Sequence, residues 1–142
     1  MTVYKWDWEE FSIATLQGKT LRSVEVSADK TEIVFTVDDG TQFVMCHDQD
    51  CCESVQIEEI VGELSDLIGT PILLAEAVSY DGEDPDGIVP SEGVEYRESW
   101  TWTFYKLATI KGYVTIRWYG TSNGYYSESV DFRKKPAENE GR

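Results

Sequence analysis

The chain is poor in the residues that staple or span. It has three cysteines and one histidine in 142 residues. Three cysteines make a poor disulfide framework, because one is left over. A cytoplasmic protein with reduced thiols is the expectation. No apolar run approaches the ~18–20 residues of a membrane span. Residues 1–7 lack the basic start and apolar stretch of a signal peptide. Positive charge is also scarce, with 12 Lys and Arg against 27 Asp and Glu, a net charge of −15. Such a field repels nucleic acid and anionic membrane and attracts basic protein surfaces. It also keeps a protein soluble. What is present is enough to fold. Hydrophobic residues make up 41% and aromatic residues 13%, which excludes a disordered chain. The length suits a single domain, expected over residues 1–133, with a polar, disordered tail at 134–142.

All three cysteines and the histidine fall between Cys46 and Glu53, with Asp48 and Asp50 among them. Three readings compete. Cys46, His47, Cys51 and Cys52 are the candidate metal ligands, yet zinc sites usually draw ligand pairs from two separated segments. Adjacent residues on a strand also point in opposite directions. A thiol nucleophile needs a lowered pKa, and Asp48, Asp50 and Glu53 would raise it. The third reading is a structural turn, with aspartates bonding local amides and cysteines buried as small apolar groups. That reading is preferred, with no cofactor and no catalytic residue assigned.

Hydrophobic periodicity predicts mixed structure. Residues 6–16, with apolar positions 8, 11, 13 and 16, read as a short helix. Residues 21–26 alternate as a strand. Residues 32–37 and 42–46 flank Asp38-Asp39-Gly40-Thr41, a hairpin signal. Residues 57–68 carry apolar side chains at 57, 60, 61, 64, 67 and 68, which is helical spacing, and Gly69 and Pro71 follow as stops. Residues 72–78 read as a strand before a long acidic loop at 80–95. The expectation is an α+β fold: an antiparallel sheet of about six strands with two helices packed on one face.

Residues 99–107, 113–119 and 125–132 read as a three-stranded meander. With a loop of Ile110, Lys111 and Gly112, Thr109 faces Tyr113 and Phe104 faces Trp118. One face then carries Trp100, Trp102, Phe104, Val114, Ile116, Trp118, Val130 and Phe132, with Glu128 interrupting it. The opposite face gathers hydroxyls and tyrosines around one arginine. Arg117 could fork onto a phosphate, Tyr105, Tyr119 or Tyr125 could stack a base, and Thr115, Ser127 and Ser129 could hydrogen-bond. Strand propensity and an interface with a second copy are competing explanations of that face.

Two stretches carry a resemblance. One is His47-Asp48-Gln49-Asp50-Cys51-Cys52-Glu53-Ser54-Val55, followed by Gly62-Glu63-Leu64-Ser65-Asp66-Leu67-Ile68-Gly69-Thr70-Pro71-Ile72. The other is residues 99–106 followed by residues 112–120. Together they resemble a family of small phage and prophage proteins of unknown function, over residues 19–133. The resemblance implies a viral or prophage origin and, in a phage setting, the host cytoplasm. Some small phage proteins, such as the Thoeris anti-defence proteins, sequester cyclic nucleotide signals without cleaving them. By that analogy the leading expectation is a non-enzymatic counter-defence protein that captures a nucleotide-type signal. The alternatives are an acidic, nucleic-acid-mimicking inhibitor of a basic host nuclease or DNA-binding complex, and a thiol or metal enzyme at the cysteine cluster. No membrane association and no direct nucleic-acid binding are expected, and a homo-oligomer is left open.

Overall fold

The computed structural model describes residues 8–49, 51–85 and 98–136. Among them are eight strands: β1 (Leu21–Val26), β2 (Glu32–Val37), β3 (Gln42–Cys46), β4 (Ser54–Val61), β5 (Leu74–Asp81), β6 (Ser99–Thr109), β7 (Gly112–Ser122) and β8 (Asp131–Lys135). They form two antiparallel sheets, in the orders β1-β2-β3-β8 and β4-β7-β6-β5. The helical content of the described residues is two short 3-10 turns, Ile13–Leu16 and Leu64–Leu67. The α+β expectation is therefore corrected to a nearly all-β architecture. No helix among the described residues is long and apolar enough to cross a membrane.

The missing central helix has a local cause. Residues 57–61 belong to β4, whose β-branched Val55, Ile57, Ile60 and Val61 suit a strand. A bulge between Ile57 and Glu59 adds one residue to the ladder. Ile57 lies opposite Trp118 and Ile60 opposite Ile116, so a spacing of three keeps both on one face. A bulged strand thereby imitates the first step of a helical period. Gly62 ends it at φ +101°, where a Cβ would stand 2.4 Å from the Tyr113 carbonyl oxygen. Leu64 and Leu67 then close a single 3-10 turn, with Leu67 buried.

The expected N-terminal helix also shrinks, to Ile13–Leu16, where the Ser12 hydroxyl accepts from the Ala14 amide. Residues 6 and 7 of that expectation lie outside the described residues. Before the turn the chain runs against β8, with the Phe11 amide donating to the Phe132 carbonyl at 2.8 Å. The hairpin β2–β3 forms as its Asp-Gly signal indicated, and Gly40 adopts φ +93° in the turn. Of the expected acidic loop, residues 80 and 81 belong to β5, and residues 86–95 lie outside the described residues. Lys134 and Lys135, assigned to a tail, are in β8, while residues 137–142 lie outside the described residues.

The C-terminal run is corrected in two ways. β8 does not join β7 but crosses to the other sheet and pairs with β3, Phe132 opposite Met45. The β6–β7 turn has two residues rather than three, because Thr109 pairs with Gly112. Phe104 therefore faces Arg117, and Tyr105 faces Ile116. A one-residue slip exchanges the faces of a strand. Tyr105 and Leu107 turn inward with Val114, Ile116 and Trp118. Trp102 and Phe104 lie on the outer face, where Tyr119 packs 4.3 Å from Trp102 and Tyr80 packs edge-on 5.6 Å from Phe104. This sheet buries aromatics on both sides, so apolar content alone does not say which face is the core.

The two sheets meet through one core. Ile33, Phe35, Phe43, Met45 and Phe132 come from the first sheet, and Ile57, Leu107, Val114, Ile116 and Trp118 from the second. Phe43 stacks on Phe132 at 5.1 Å. The Trp118 indole N–H points across the gap to the Met45 sulfur at 3.2 Å, giving a buried donor a soft acceptor. Two connections cross between sheets, residues 47–53 from β3 to β4 and residues 123–130 from β7 to β8. They run at one end of the molecule, because Cys46 pairs with Asp131 and Ser54 pairs with Thr121.

Candidate functional site

The β7–β8 connection forms one wall of a cleft of about 450 Å³. Ser127, Glu128, Ser129 and Val130 face the inner side of the second sheet, where β5 supplies Ala77, Ser79 and Asp81 and β6 supplies Thr101, Thr103 and Tyr105. Its volume lies in the ~300–1,000 Å³ range of small-molecule sites. Glu128 reaches over β7 at Gly120, where an added Cβ would stand 3.1 Å from the Glu128 Cβ. Its carboxylate accepts from the Thr101 hydroxyl at 2.7 Å and from the Ser122 hydroxyl at 2.5 Å. The Thr101 oxygen is also 3.1 Å from an Asp81 oxygen. A hydroxyl has one proton, so Thr101 can satisfy one of these two acids at a time. The shorter contact assigns that proton to Glu128 and leaves Asp81 able to accept from a ligand.

The wall is shaped by its own hydrogen bonds. The Ser127 and Ser129 hydroxyls are 2.7 Å apart, and the Ser129 amide donates to Ser127 Oγ at 3.1 Å. The Tyr105 hydroxyl donates to the Val130 carbonyl at 3.3 Å. Burial holds this phenol above the ordinary tyrosine range, with the negative charges of Asp131 and Glu10 adding to it. Tyr105 is therefore a donor at neutral pH.

The wall is clamped from behind by the β3–β4 connection. His47 Nδ1 lies 2.7 Å from the Ser129 carbonyl oxygen, and Nε2 lies 2.8 Å from Glu53 Oε2. A carbonyl can only accept, so Nδ1 donates, and Nε2 and Glu53 hold the second proton between them. The His47 side chain is 4% exposed and that of Glu53 0%. Glu53 also accepts from the Cys51 amide at 2.9 Å and from Gln49 Nε2 at 3.2 Å. Cys51 and Cys52 do not lie on a strand. They precede β4, are exposed, and are joined to each other by a disulfide, which corrects the expectation of reduced thiols there. Cys46 is buried and outside that bond. Asp50 lies outside the described residues. No group of three or more His, Cys, Asp or Glu among the described residues is arranged to hold a metal ion.

A second charged cluster lies next to the clamp. Arg133 donates to Asp48 at 2.9 Å, to Asp131 at 3.3 Å and to the Trp8 carbonyl at 2.9 Å. Burial pushes both aspartates above the ordinary carboxylate range, and Arg133 opposes that shift without cancelling it.

The residues expected to share one ligand-binding face are divided. Tyr105, Ser127 and Ser129 come together in the cleft. Arg117, Thr115 and Tyr119 lie on the outer face of the same sheet. There Arg117 donates through Nε and Nη2 to Glu58 at 2.9 and 2.6 Å, contacts Glu59, and sits 5.8 Å over the Trp102 ring. Tyr125 is exposed on the β7–β8 connection, its ring edge-on to Tyr126. Asp81, Thr101, Thr103 and Glu128 were not assigned to a site from sequence. The available signal was Glu128, an acid in step with Val130 and Phe132.

Comparison with curated proteins and with solved structures finds no match. Residues 14–132 match the family model described as a domain of unknown function, DUF7448, and the chain belongs to that family.

Proposed function

We propose that this protein is a non-enzymatic binding protein that captures a small, donor-rich polar ligand of the nucleoside type in the cleft between β5, β6 and residues 127–130. The observation that carries the reading is the Asp81–Thr101–Glu128 arrangement, which leaves a carboxylate acceptor at a cleft lined by hydroxyls. Ligand amino or hydroxyl groups would donate to Asp81, and Ser79, Thr103, Ser127 and Ser129 would exchange hydrogen bonds with the remainder. A phosphate gains nothing beside two carboxylates. Arg117, the residue expected to hold one, pairs with Glu58 and Glu59 on the other side of the sheet. The nucleotide expectation is thus carried forward for its base and sugar, with any phosphate outside the cleft. Sequestration of a signal in a host cell remains the proposed setting.

Calorimetric titration with nucleosides, amino sugars and the matching nucleotides tests the reading. Binding of a nucleoside that weakens at least about tenfold in Asp81→Asn, and is unchanged in Arg117→Ala, is expected for one lost charge-assisted bond. Binding confined to the nucleotides, or abolished by Arg117→Ala, would overturn it.

A further inference from the structure

We propose that Cys51 and Cys52 form a thiol–disulfide exchange site for a dithiol reductant, and that its redox state is relayed to the cleft wall through Glu53 and His47. The two cysteines are adjacent, bonded and exposed in the β3–β4 connection, whereas Cys46 is buried at the end of β3. Exchange requires that a thiolate reach a sulfur, and only the exposed pair offers one.

The chemistry balances with one reductant. A thiolate of the dithiol attacks one sulfur, the Cys51–Cys52 bond breaks, and a mixed disulfide forms. The second thiol of the reductant then displaces the protein sulfur. Two electrons and two protons pass to Cys51 and Cys52, and the reductant leaves as its own disulfide. The surroundings select among reductants. Asp48 and Glu53 flank the site, and the net charge of −15 repels anionic thiols.

The relay is a continuous set of hydrogen bonds. The Cys51 amide donates to Glu53, and Gln49 Nε2 bridges the Cys51 carbonyl at 3.3 Å to the Glu53 carbonyl at 2.7 Å. The backbone of the disulfide ring is therefore tied to Glu53 at its amide and at its carbonyl. Glu53 holds His47, and His47 holds the Ser129 carbonyl in the cleft wall. Opening the ring frees the Cys51 backbone and removes a fixed donor from Glu53. The readout of that change is the wall itself and needs no ligand.

The experiment treats the native protein with dithiothreitol, counts thiols by alkylation and mass spectrometry, and follows backbone amides by NMR. Reduction is expected to expose two thiols, at Cys51 and Cys52, which label about tenfold or more faster than Cys46, following exposure. The amides of Ser129 and Val130 should shift with it and return on reoxidation. A Cys51→Ser/Cys52→Ser variant should rest at the reduced position and ignore dithiothreitol. In Glu53→Gln, reduction should proceed while Ser129 no longer responds. If no thiols appear without denaturant, the exchange site is refuted. If they appear and the Ser129 and Val130 amides stay still, the relay is refuted.

Discussion

Replacing Glu53 by glutamine removes the carboxylate of the most enclosed acid among the described residues while keeping its shape. Its side chain is 0% exposed and meets His47, the Cys51 amide and Gln49 within 3.2 Å. Breaking a buried, hydrogen-bonded acid–imidazole pair by removing one partner costs about 3–5 kcal/mol. Glutamine retains one oxygen as an acceptor, which places the variant near the low end, at about 3 kcal/mol. Against a total stability of roughly 5–15 kcal/mol that is a large share. At about 3–5 °C per kcal/mol for a chain of this size, the melting temperature should fall by roughly 10–15 °C. Urea unfolding of the wild type, His47→Gln, Glu53→Gln and the double variant gives the coupling directly, expected at about 1.5 kcal/mol or more. A single-variant loss under about 1 kcal/mol, or no coupling, would show that the two crossover connections are not held together by this pair.

Other consequences follow from the same geometry. Arg117→Ala should lower stability by about 1–3 kcal/mol through the lost charge-assisted bonds to Glu58 and the uncovered Trp102, with cleft binding unchanged; an unchanged urea midpoint would contradict this. Gly120→Ala puts a methyl about 3 Å from Val55 and Glu128, so it should cost about 1–3 kcal/mol and weaken ligand binding by displacing Glu128; wild-type affinity would show that Glu128 does not set the wall. Burial raises the native pKa values of Asp48 and Asp131 above the ordinary 3.8, so these two groups hold more protons in the folded state than in the unfolded chain. Their contribution is best below that value and worsens as pH rises through the raised ones. Asp131→Asn should flatten that slope and match or exceed the wild-type melting temperature at about pH 7. A steeper slope in thermal melts from about pH 4 to 7 would contradict the assignment.

Much of the first sheet was legible because its signals are local. Asp39-Gly40 between β-branched runs specified the β2–β3 hairpin, and alternation in residues 21–26 specified β1. The second sheet was less so, for two identifiable reasons. The bulge after Ile57 gave β4 a helix-like apolar spacing. The two-residue Ile110-Lys111 turn shifted β6 against β7 by one position, and Trp102 and Phe104 packed outward under Tyr119 and Tyr80. The proposed site inherited that slip. Tyr105, Ser127 and Ser129 do line one cleft, but Arg117 could be separated from them only once the register was known. The turn after β3 was legible, but Cys51 and Cys52 were expected on a strand and buried, and they are exposed and bonded to each other; the role of this connection in clamping β7–β8 depends on Ser129, which is 82 residues from His47. No local pattern carries a contact of that span.

The most direct test of the central claim is an amide NMR titration of the wild-type protein with a nucleoside and its 5′-phosphate. Both are expected to shift Ser79, Asp81, Thr101, Thr103 and residues 127–130, with the phosphate adding no affinity. Shifts centred on Glu58, Arg117 and Tyr119, or a response to the phosphate alone, would contradict it.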